Sequence, residues 1–522
     1  MSETLRAFIV IMALSVPFFL LAKKPVCHMA MDEADFLRRR NVWLGVTAFA
    51  FLTHDFWLFA FFSTILLLVL GGRDSNRFGM YLLVVFAVPP FAAEIPGFGV
   101  LNYLMNLDYP RLLSLVLLFP FYLRLRQEPD VVPFGRQFAD KCLLGFLVLP
   151  LGLQAIDDTI TNTLRQGVYS YLELFLPYYV ASRSLRNLPA FRDVLMSFVI
   201  GVMLMAPIAL FEYGRKWLLY SSLPSALGIR WEMGSYLARG NDLRAMASAG
   251  HALSLGYLMV VACGLYAYAR QFLTPKKFVT LGLLVLLAGL WSPISRGPWL
   301  GALAALAVIY GTGPNPIGRS MKLLMICLPI VAAVLLSPAG EKIISVLPIV
   351  GTVDKFNEIY RQRLLDTSIE VVKLNPFFGS FTYLQLPMMQ QLKTGEGIID
   401  IVNSYLGVAL TYGLVGLALY LGMFLSALRT VWRSMKLCSP GDELHLLGRT
   451  LLATLIGVMI TIIGVSSINT IGTINFVVVG ICLAYGELVA RYTQGRVQQT
   501  MAPGGARRPP VPRHAASHPG YR

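Results

Sequence analysis

The chain has 522 residues, of which 56% are hydrophobic and only 14% charged, and its mean hydropathy is +0.64. Soluble globular domains carry about 25% charged and about 45–50% apolar residues. The composition therefore excludes a soluble enzyme, a disordered protein and a small disulfide-stabilised domain. The formal net charge of +16 requires no nucleic-acid partner, because Lys and Arg accumulate in the cytoplasmic loops of membrane proteins.

The apolar residues form long blocks that approach the roughly 20 residues needed to cross a bilayer. About fifteen blocks occur, and several are short enough for the count of spans to fall to about twelve. They lie near 6–22, 42–53, 56–71, 79–93, 110–124, 141–156, 168–184, 193–213, 251–270, 277–291, 297–313, 320–337, 404–427, 447–466 and 470–490. The sequence thus predicts an all-α polytopic bundle of about 12–15 spans.

Basic residues mark alternate loops, as the positive-inside rule requires of cytoplasmic loops. Counted back from the C-terminal tail, these loops carry Arg429, Arg433 and Lys436; Arg319 and Lys322; Arg270, Lys276 and Lys277; Arg183, Arg186 and Arg192; Arg124, Arg126 and Arg136; Arg73 and Arg77; and Lys23, Lys24 and Arg38–Arg40. The loops of the other parity are short or modest, except for two long segments. We therefore predict a cytoplasmic C-terminus, with both long segments on the outer side.

This orientation divides the chain into six regions. They are an N-terminal transmembrane bundle (1–213), a first outer loop (214–250), further transmembrane helices (251–337), a large outer loop (338–403), C-terminal transmembrane helices (404–490) and a basic cytoplasmic tail (491–522). The end of the tail is rich in Pro, Gly and Arg and has no periodicity, which is typical of a disordered segment.

The first outer loop carries several arginines close to the start of a span. Arg239 and Arg244 come last, and Arg244 opens the sequence RAMASAGHALSLG. The small residues there would allow the backbone to approach a neighbouring helix or a ligand closely. Two interpretations of Arg244 are open: an arginine that binds a ligand, or a helix-end arginine that snorkels to lipid headgroups.

The large outer loop contains a helical pattern over 354–373 that ends before Asn375-Pro376. On this helix Arg361 and Arg363 point roughly 200° apart. We therefore expect one of them to be solvated and the other buried. Acidic and basic residues nearly balance in the loop, so it is not a simple patch for anionic lipid.

Several motifs are missing from the sequence: a Walker A loop, HExxH, GxSxG and an outer-loop DxD motif. Asp157-Asp158 is interpreted as the solvated end of a span, and the six cysteines show no disulfide or metal-ligand spacing. We therefore predict no metal and no cofactor. A donor used outside the membrane must already be activated, typically as a lipid pyrophosphate. Arginines suit such a donor because their forked N–H groups match phosphate oxygens.

Three stretches in order resemble the O-antigen ligase and Wzy-type polysaccharide polymerase family. They are Arg244–His251, the sequence SRGPWLG at Ser295–Gly301, and Arg363 followed by Asn375-Pro-Phe-Phe-Gly379, Val402-Asn-Ser-Tyr-Leu406 and Gly413-Leu-Val-Gly416. The resemblance covers about residues 230–420. It implies an integral membrane glycosyltransferase of a GT-C-like fold in the bacterial inner membrane, with its active site in the periplasm.

By this resemblance, a glycan is transferred from undecaprenyl pyrophosphate to an acceptor hydroxyl. Loop arginines of the family hold the pyrophosphate and stabilise the charge that develops on it as it leaves. Carried over, this role falls first on Arg244 and second on Arg363, with Arg361 and Arg239 as further candidates. Arg296, Asn403 and Tyr405 are assigned structural roles in the motifs.

The sequence departs from the family at Val402, where the family has a histidine that is its proposed general base. Candidates for a substitute base are Asp400, Glu358 and His251, with Glu396 also near in sequence. A carboxylate there would accept the proton of the acceptor hydroxyl in the transition state. The alternatives are that Asp400 caps the following helix and that His251 is a satisfied interfacial histidine.

The missing histidine favours a polymerase that makes an exopolysaccharide, a capsule or an O-antigen. Its partners would be undecaprenyl-pyrophosphate-linked oligosaccharide and membrane lipids, together with chain-length and export proteins, and no nucleic acid. The competing hypotheses are an O-antigen ligase acting on lipid A-core, a flippase of lipid-linked oligosaccharide, and a peptidoglycan polymerase of similar topology. A flippase would place polar residues in matched, broken helices, whereas here they concentrate in the two outer loops.

Overall fold

A computed structural model describes residues 2–97, 99, 102–229, 238–239, 242–318, 321, 325, 355–393 and 398–501. The side chains of residues 157, 238–239, 355–358 and 495–501 lie outside this description. The predicted span at 320–337 falls almost wholly outside it, as does the end of the tail.

Helices dominate the described residues, with two short antiparallel hairpins. The first half contains α1 (Glu3–Cys27), α2 (Glu33–Leu52), α3 (Phe56–Gly71), α4 (Arg77–Val84), β1 (Ala92–Pro96), β2 (Tyr103–Asp108), α5 (Tyr109–Leu113), a π turn (Ser114–Leu118), α6 (Phe119–Gln127), α7 (Phe138–Asp157), α8 (Ile160–Ser170), a π turn (Tyr171–Phe175), α9 (Leu176–Ser184), α10 (Leu188–Arg215) and α11 (Leu223–Ala226).

The second half begins with another hairpin, β3 (Ala238–Arg239) and β4 (Asp242–Leu243), and a 3₁₀ turn (Ala247–Ala249). There follow α12 (Ala252–Ala269), a 3₁₀ turn (Arg270–Phe272), α13 (Lys277–Trp291), α14 (Arg296–Gly311), α15 (Lys355–Leu374), a 3₁₀ turn (Tyr383–Gln385), α16 (Pro387–Gln390), α17 (Ser404–Lys436), α18 (Glu443–Thr461) and α19 (Ile471–Met501).

Seven of the described helices are long and apolar enough to cross a bilayer, and two shorter ones, α3 and α13, are also apolar. Two continuous helices interrupted by π turns, 109–127 and 160–184, coincide with further predicted spans. The predicted all-α, polytopic membrane fold is confirmed. The total of about 12–15 spans stays a prediction, since it counts the block at 320–337.

Local chemistry explains where the helices begin and end. Asn187 accepts a hydrogen bond from the backbone N–H of Ala190 at 2.9 Å and so caps α10. The apolar block at 79–93 forms only the short helix α4, because Pro89-Pro90 cannot continue a helix and the chain turns into the β1–β2 hairpin. This block was expected to span the membrane as a helix, and that expectation is wrong.

Polar contacts join helix ends that the sequence predicts to lie on the same side of the membrane. At the predicted inner end, Arg39 is fully buried and binds Asp74 and Asp193. At the predicted outer end, the indole N–H of Trp217 donates to Glu3 at 3.1 Å. The predicted alternation of the loops is therefore consistent with the packing.

Helix α17 is broken at Gly413, and the outer loop fits into the break. Gly413 has φ 65° and ψ −168° within an otherwise helical run. The N–H groups of Leu414 and Val415 donate to the carbonyls of Pro376 and Phe377 at 2.8 and 3.2 Å, and Ser380 N–H donates to Leu410 O at 3.0 Å. The loop thus satisfies backbone groups that the break in the helix leaves without helical partners.

A small second hydrophobic core completes the attachment of the loop. Leu364 and Val371 on α15 pack with Met389, Leu392 and the α17 residue Leu410. Helix α15 therefore lies against the outer half of α17, and it ends at Leu374 directly before the predicted stop at Asn375-Pro376. The predicted helix of the large loop is confirmed.

We predict that Gly413→Ala releases the loop from α17. A Cβ at residue 413 would lie 2.3 Å from the carbonyl carbon and oxygen of Phe377, and φ there is positive. Strain of this kind costs about 1–3 kcal/mol even before the loop is displaced. Limited proteolysis of the purified protein should show faster cleavage in the loop and a lower midpoint of thermal unfolding.

The matched control is Gly152→Ala on α7, where a Cβ would meet nothing within 4 Å. This variant should behave like the wild type. Equal resistance to proteolysis in the Gly413→Ala and Gly152→Ala variants would contradict the proposed attachment.

Candidate active site

Five segments meet at the predicted outer ends of the helices. They are residues 244–250 before α12, the turn 292–295 between α13 and α14, helix α15, residues 398–403 before α17, and the turn 462–470 between α18 and α19. Hydrogen bonds join these segments: Ala245 N–H donates to Ser292 O at 3.2 Å, and Ser404 N–H, directly after segment 398–403, donates to Ile462 O at 3.0 Å. The loops thus form a fixed outer surface on top of the bundle.

Arg244 connects the first outer loop to the SRGPWLG motif. Its half-buried guanidinium donates to Pro293 O at 3.1 Å and to Ser295 Oγ at 2.8 Å. Ser295 is also the N-cap residue of α14, but its side chain makes no capping bond to that helix. Arg244 is therefore positioned by protein contacts at the surface of the site, and this geometry argues against an arginine that simply snorkels to lipid.

The rest of SRGPWLG packs helices together. Pro298 lies against Gly256, where a Cβ would be 2.7 Å from its ring. At Gly301 a Cβ would lie 1.9 Å from Thr461 Oγ1, so α14 and α18 are in close contact. Arg296 is half-buried in the first turn of α14, in agreement with a structural role.

Segment 244–250 is also held from below by Glu212. This carboxylate is 1% exposed. It accepts hydrogen bonds from Met246 N–H at 3.0 Å, Ala247 N–H at 2.8 Å and Leu219 N–H at 3.0 Å. Asn469 adds a bond from its amide N–H to Ala249 O at 3.1 Å. The backbone next to Arg244 is thus fixed by residues from α10 and from the turn between α18 and α19.

His251 serves as the N-cap of α12. Its Nδ1 accepts a hydrogen bond from Leu253 N–H at 3.1 Å. Burial, with a smaller contribution from the charge of Arg244, lowers the pKa of His251 to about 4. Since Nδ1 of the neutral ring accepts the capping bond, Nε2 carries the proton and no lone pair is left to act as a general base. The geometry therefore favours the interfacial, structural alternative.

Asp400 is held in place by the large loop and by the turn between α18 and α19. Its backbone N–H donates to the hydroxyl of Tyr360 at 3.0 Å, and this hydroxyl donates back to Asp400 O at 3.3 Å. Ser466 Oγ donates to the carboxylate at 3.4 Å. The expectation that Asp400 caps the next helix is wrong, because Asn403 is the N-cap and accepts from Leu406 N–H at 3.1 Å.

The environment of the Asp400 carboxylate combines desolvation with two positive charges. The side chain keeps access to solvent, but the protein encloses it on its other sides. This desolvation raises its pKa above the ordinary value, while Ser466 and the guanidinium charges of Arg361 and Arg244 oppose the rise. Arg361 and Arg244 therefore both lie within electrostatic range of Asp400, although they come from different loops.

The two arginines of α15 differ from the sequence-based expectation. Both Arg361 and Arg363 are exposed, so the expectation that one is buried is wrong. The reason is that the buried stripe of α15 runs through Tyr360, Leu364 and Val371, which leaves both arginines off that stripe. Arg361, next to Tyr360, is the one whose charge acts on Asp400.

The VNSYL motif places its polar groups in structural contacts. Tyr405 O–H donates to Met459 O at 3.0 Å, and Ser404 Oγ donates to Val465 O at 2.7 Å. Val402 is half-buried and packs on the main core. Asn403 and Tyr405 therefore both form hydrogen bonds to backbone groups within the bundle. The nearest described carboxylate in sequence to Val402 belongs to Asp400.

Three candidate residues lie wholly or partly outside the described part. Arg239 is described only by its backbone, which pairs with Asp242 in the β3–β4 hairpin. The side chain of Glu358 on α15 is outside the description, and so is all of Glu396. Within the described part, the structure brings together Arg244, Arg361 and Asp400.

Sequence analysis missed the residues that position this group: Glu212, Ser295, Tyr360 and Ser466. Glu212 had one available signal, since a glutamate in the last turn of an apolar helix is costly unless it is paired. The others are ordinary polar residues whose partners come from distant segments. Among the described residues, His, Cys, Asp and Glu form no group of three or more suited to a metal ion.

Such a site can hold an anion and remove a proton. Two guanidinium groups beside an open surface match the oxygens of a phosphate or pyrophosphate. A carboxylate within electrostatic range of both is suited to accept a proton from a hydroxyl group. The same outer surface thus offers both functions that transfer from a phosphorylated donor requires.

Comparison with known protein families gives one match, whereas no curated protein matches the sequence. Residues 278–421 match the model of the family described as O-antigen ligase. This region begins in α13, includes the SRGPWLG motif, Arg361 and Asp400, and ends in α17 just beyond Gly413. Residues 278–421 are therefore similar to the O-antigen ligase and Wzy-type family, which is a family of glycosyltransferase-like enzymes.

Proposed function

We propose that the protein is a polysaccharide polymerase of the bacterial inner membrane. It transfers a glycan from undecaprenyl pyrophosphate to a hydroxyl group of another lipid-linked repeat unit on the periplasmic side. The observation that carries this proposal is that the charges of Arg244 and Arg361 both act on Asp400. These residues lie at the predicted outer ends of the helices, opposite the basic loops.

In the proposed reaction, the acceptor hydroxyl oxygen forms a bond to the anomeric carbon of the donor sugar. The bond from that carbon to the pyrophosphate oxygen breaks, and the pyrophosphate leaves with the electron pair. Arg244 and Arg361 stabilise the charge that develops on it. Asp400 accepts the hydroxyl proton, so the products are the extended glycan and protonated Asp400, which returns its proton to solvent.

The choice of Asp400 as the base rests on geometry. Asp400 lies two residues before Val402, and Val402 stands where the family has its histidine. Tyr360 fixes the backbone of Asp400 and Ser466 contacts its side chain. No such arrangement supports His251, whose Nδ1 is committed to the cap of α12.

An O-antigen ligase is the second candidate, because the matching family is described by that activity. The two reactions share the donor and differ in the acceptor, which is lipid A-core for a ligase. The substitution of Val402 for the family's histidine favours the polymerase. Chain-length and export proteins remain proposed partners of this activity.

The first test is complementation of a deletion strain with the wild type, Asp400→Asn or the control Asp366→Asn. Asp366 is an exposed carboxylate on α15, so its loss should leave polymer intact. The wild type should give long polysaccharide, whereas Asp400→Asn should leave single lipid-linked repeat units on the outer side, with equal amounts of protein in the membrane.

Other outcomes would overturn the proposal. Repeat units trapped on the cytoplasmic side in the deletion strain would indicate a flippase. Polymer of normal length that is not attached to lipid A-core would indicate a ligase. Full polymerisation by the Asp400→Asn variant would exclude Asp400 as the base.

We predict that Arg361→Gln impairs transfer more than Arg363→Gln. Hydrogen bonds to charged groups contribute about 1.5–3 kcal/mol, and each 1.4 kcal/mol is about tenfold. Release of undecaprenyl pyrophosphate by the purified protein should fall about tenfold or more for Arg361→Gln. For Arg363→Gln, which changes an exposed arginine that points roughly 200° away from Arg361 on the same helix, it should stay within about twofold. The sequence ranked Arg363 above Arg361 as a pyrophosphate-binding residue, and this prediction reverses that ranking. Equal losses of activity in the two variants would contradict the prediction.

We also predict a pH dependence set by Asp400. Only the ionised carboxylate acts as a base, so the rate should fall as the pH is lowered through the pKa of Asp400. This pKa is raised by desolvation, so the fall should begin above the pH expected for an ordinary aspartate, whose pKa is about 3.9. Arg361→Gln removes a charge that favours the carboxylate and should move the acid limb of the rate profile to higher pH. An unchanged limb would mean that Asp400 is not the titrating base.

A further inference from the structure

A groove lies at the predicted cytoplasmic end of the bundle, far along α17 from the candidate active site. It has a volume of about 480 Å³ and is bounded by α17, α19 and the start of α7. Its polar wall carries Arg429 and Arg433, which lie four residues apart on one side of α17. Its apolar wall includes Phe138 and Leu425, which are 64% and 53% exposed.

The groove is built by close contact between helices beneath the arginines. A Cβ at Gly486 on α19 would lie 2.3 Å from Thr430 Cγ2, and one at Gly422 on α17 would lie 2.9 Å from Cys142 Sγ. These two glycines allow the three helices to approach each other closely. The result is a cleft at the edge of the bundle with a narrow floor.

The charge on the groove is suited to an anion. Both guanidinium groups are exposed, and no ion pair within the described part of the chain neutralises either of them. Glu487 also lines the groove, and its carboxylate accepts a hydrogen bond from Gln137 at 2.9 Å, so the two arginines leave the groove with an excess of positive charge. The hydroxyl groups of Ser426 and Thr430 line the same wall and offer further donors for phosphate oxygens.

The surroundings place this groove at the level of lipid headgroups. Trp432, between the two arginines in sequence, is 42% exposed, and Lys436 lies over its ring at 4.8 Å. Tryptophan and basic residues are typical of the membrane–water interface. Exposed apolar side chains next to two arginines therefore match a molecule with a phosphate head and acyl chains.

We propose that this groove binds the phosphate headgroup of an anionic phospholipid from the cytoplasmic leaflet. Arg429 and Arg433 bind the phosphate, and the acyl chains lie along Phe138 and Leu425. The occupant is a phospholipid of the bilayer, because the groove lies at the opposite end of α17 from the proposed glycan transfer. The site is independent of that transfer.

The test uses full-length protein in nanodiscs of phosphatidylcholine with increasing phosphatidylglycerol, and measures the midpoint of thermal unfolding and the lipid retained in native mass spectrometry. Arg429→Gln/Arg433→Gln is compared with the wild type and with Arg73→Gln/Arg124→Gln. Both control arginines are exposed in predicted cytoplasmic loops outside the groove, so the two double variants change the net charge equally.

The wild type should retain phosphatidylglycerol and be stabilised by it. The groove variant should need an about tenfold or more higher phosphatidylglycerol content for the same stabilisation, since it loses charge-assisted hydrogen bonds to the phosphate that the control arginines do not make. The control variant should respond within about threefold of the wild type.

Two results would overturn the proposal. An equal loss in the control variant would mean that the response reflects general surface charge rather than the groove. A wild-type response in the groove variant would mean that the two arginines bind no lipid. Failure of the proposed glycan transfer would change neither result, because the assay measures lipid binding alone.

Discussion

The structure of the candidate site depends on one backbone constraint, the break of α17 at Gly413. A helix that stops and restarts leaves N–H and carbonyl groups without partners, which is costly in a protein surrounded by lipid. Here the carbonyls of Pro376 and Phe377 and the N–H of Ser380 supply those partners. The large outer loop is thus attached to a membrane helix through its main chain. Next to this attachment, α15 packs against α17 and brings Tyr360 to Asp400.

The same logic applies to the rest of the site, which consists of turns fixed by buried polar groups. Glu212 binds three backbone N–H groups, two of them in the segment that follows Arg244. Arg244 in turn binds the turn before α14. Residues of three distant parts of the chain are therefore held near one carboxylate without forming a continuous core. Such preorganisation is what electrostatic stabilisation of a leaving pyrophosphate requires.

The sequence predicted those features that depend on local pattern. Hydrophobic blocks predicted the membrane helices, and the helix of the large loop was predicted together with its end at Asn375-Pro376, because proline stops a helix wherever it occurs. The rotation of α15 was not predictable, since Tyr360, Leu364 and Val371 become its buried stripe only through contact with Met389, Leu392 and Leu410. For the same reason the expectation that one of Arg361 and Arg363 is buried was wrong. The cap at Asn403 rather than Asp400 shows how a shift of three residues changes the role of a side chain, from satisfying a helix end to facing a site.

The most direct test of this account is an electron cryo-microscopy structure of the Asp400→Asn variant in nanodiscs with an undecaprenyl-pyrophosphate-linked repeat unit. The substitution should slow transfer and so preserve the bound donor. The account predicts density for two phosphorus atoms between the guanidinium groups of Arg244 and Arg361, with the first sugar beside residue 400. Pyrophosphate density on the Arg363 side of α15, or at the opposite ends of the helices, would contradict it.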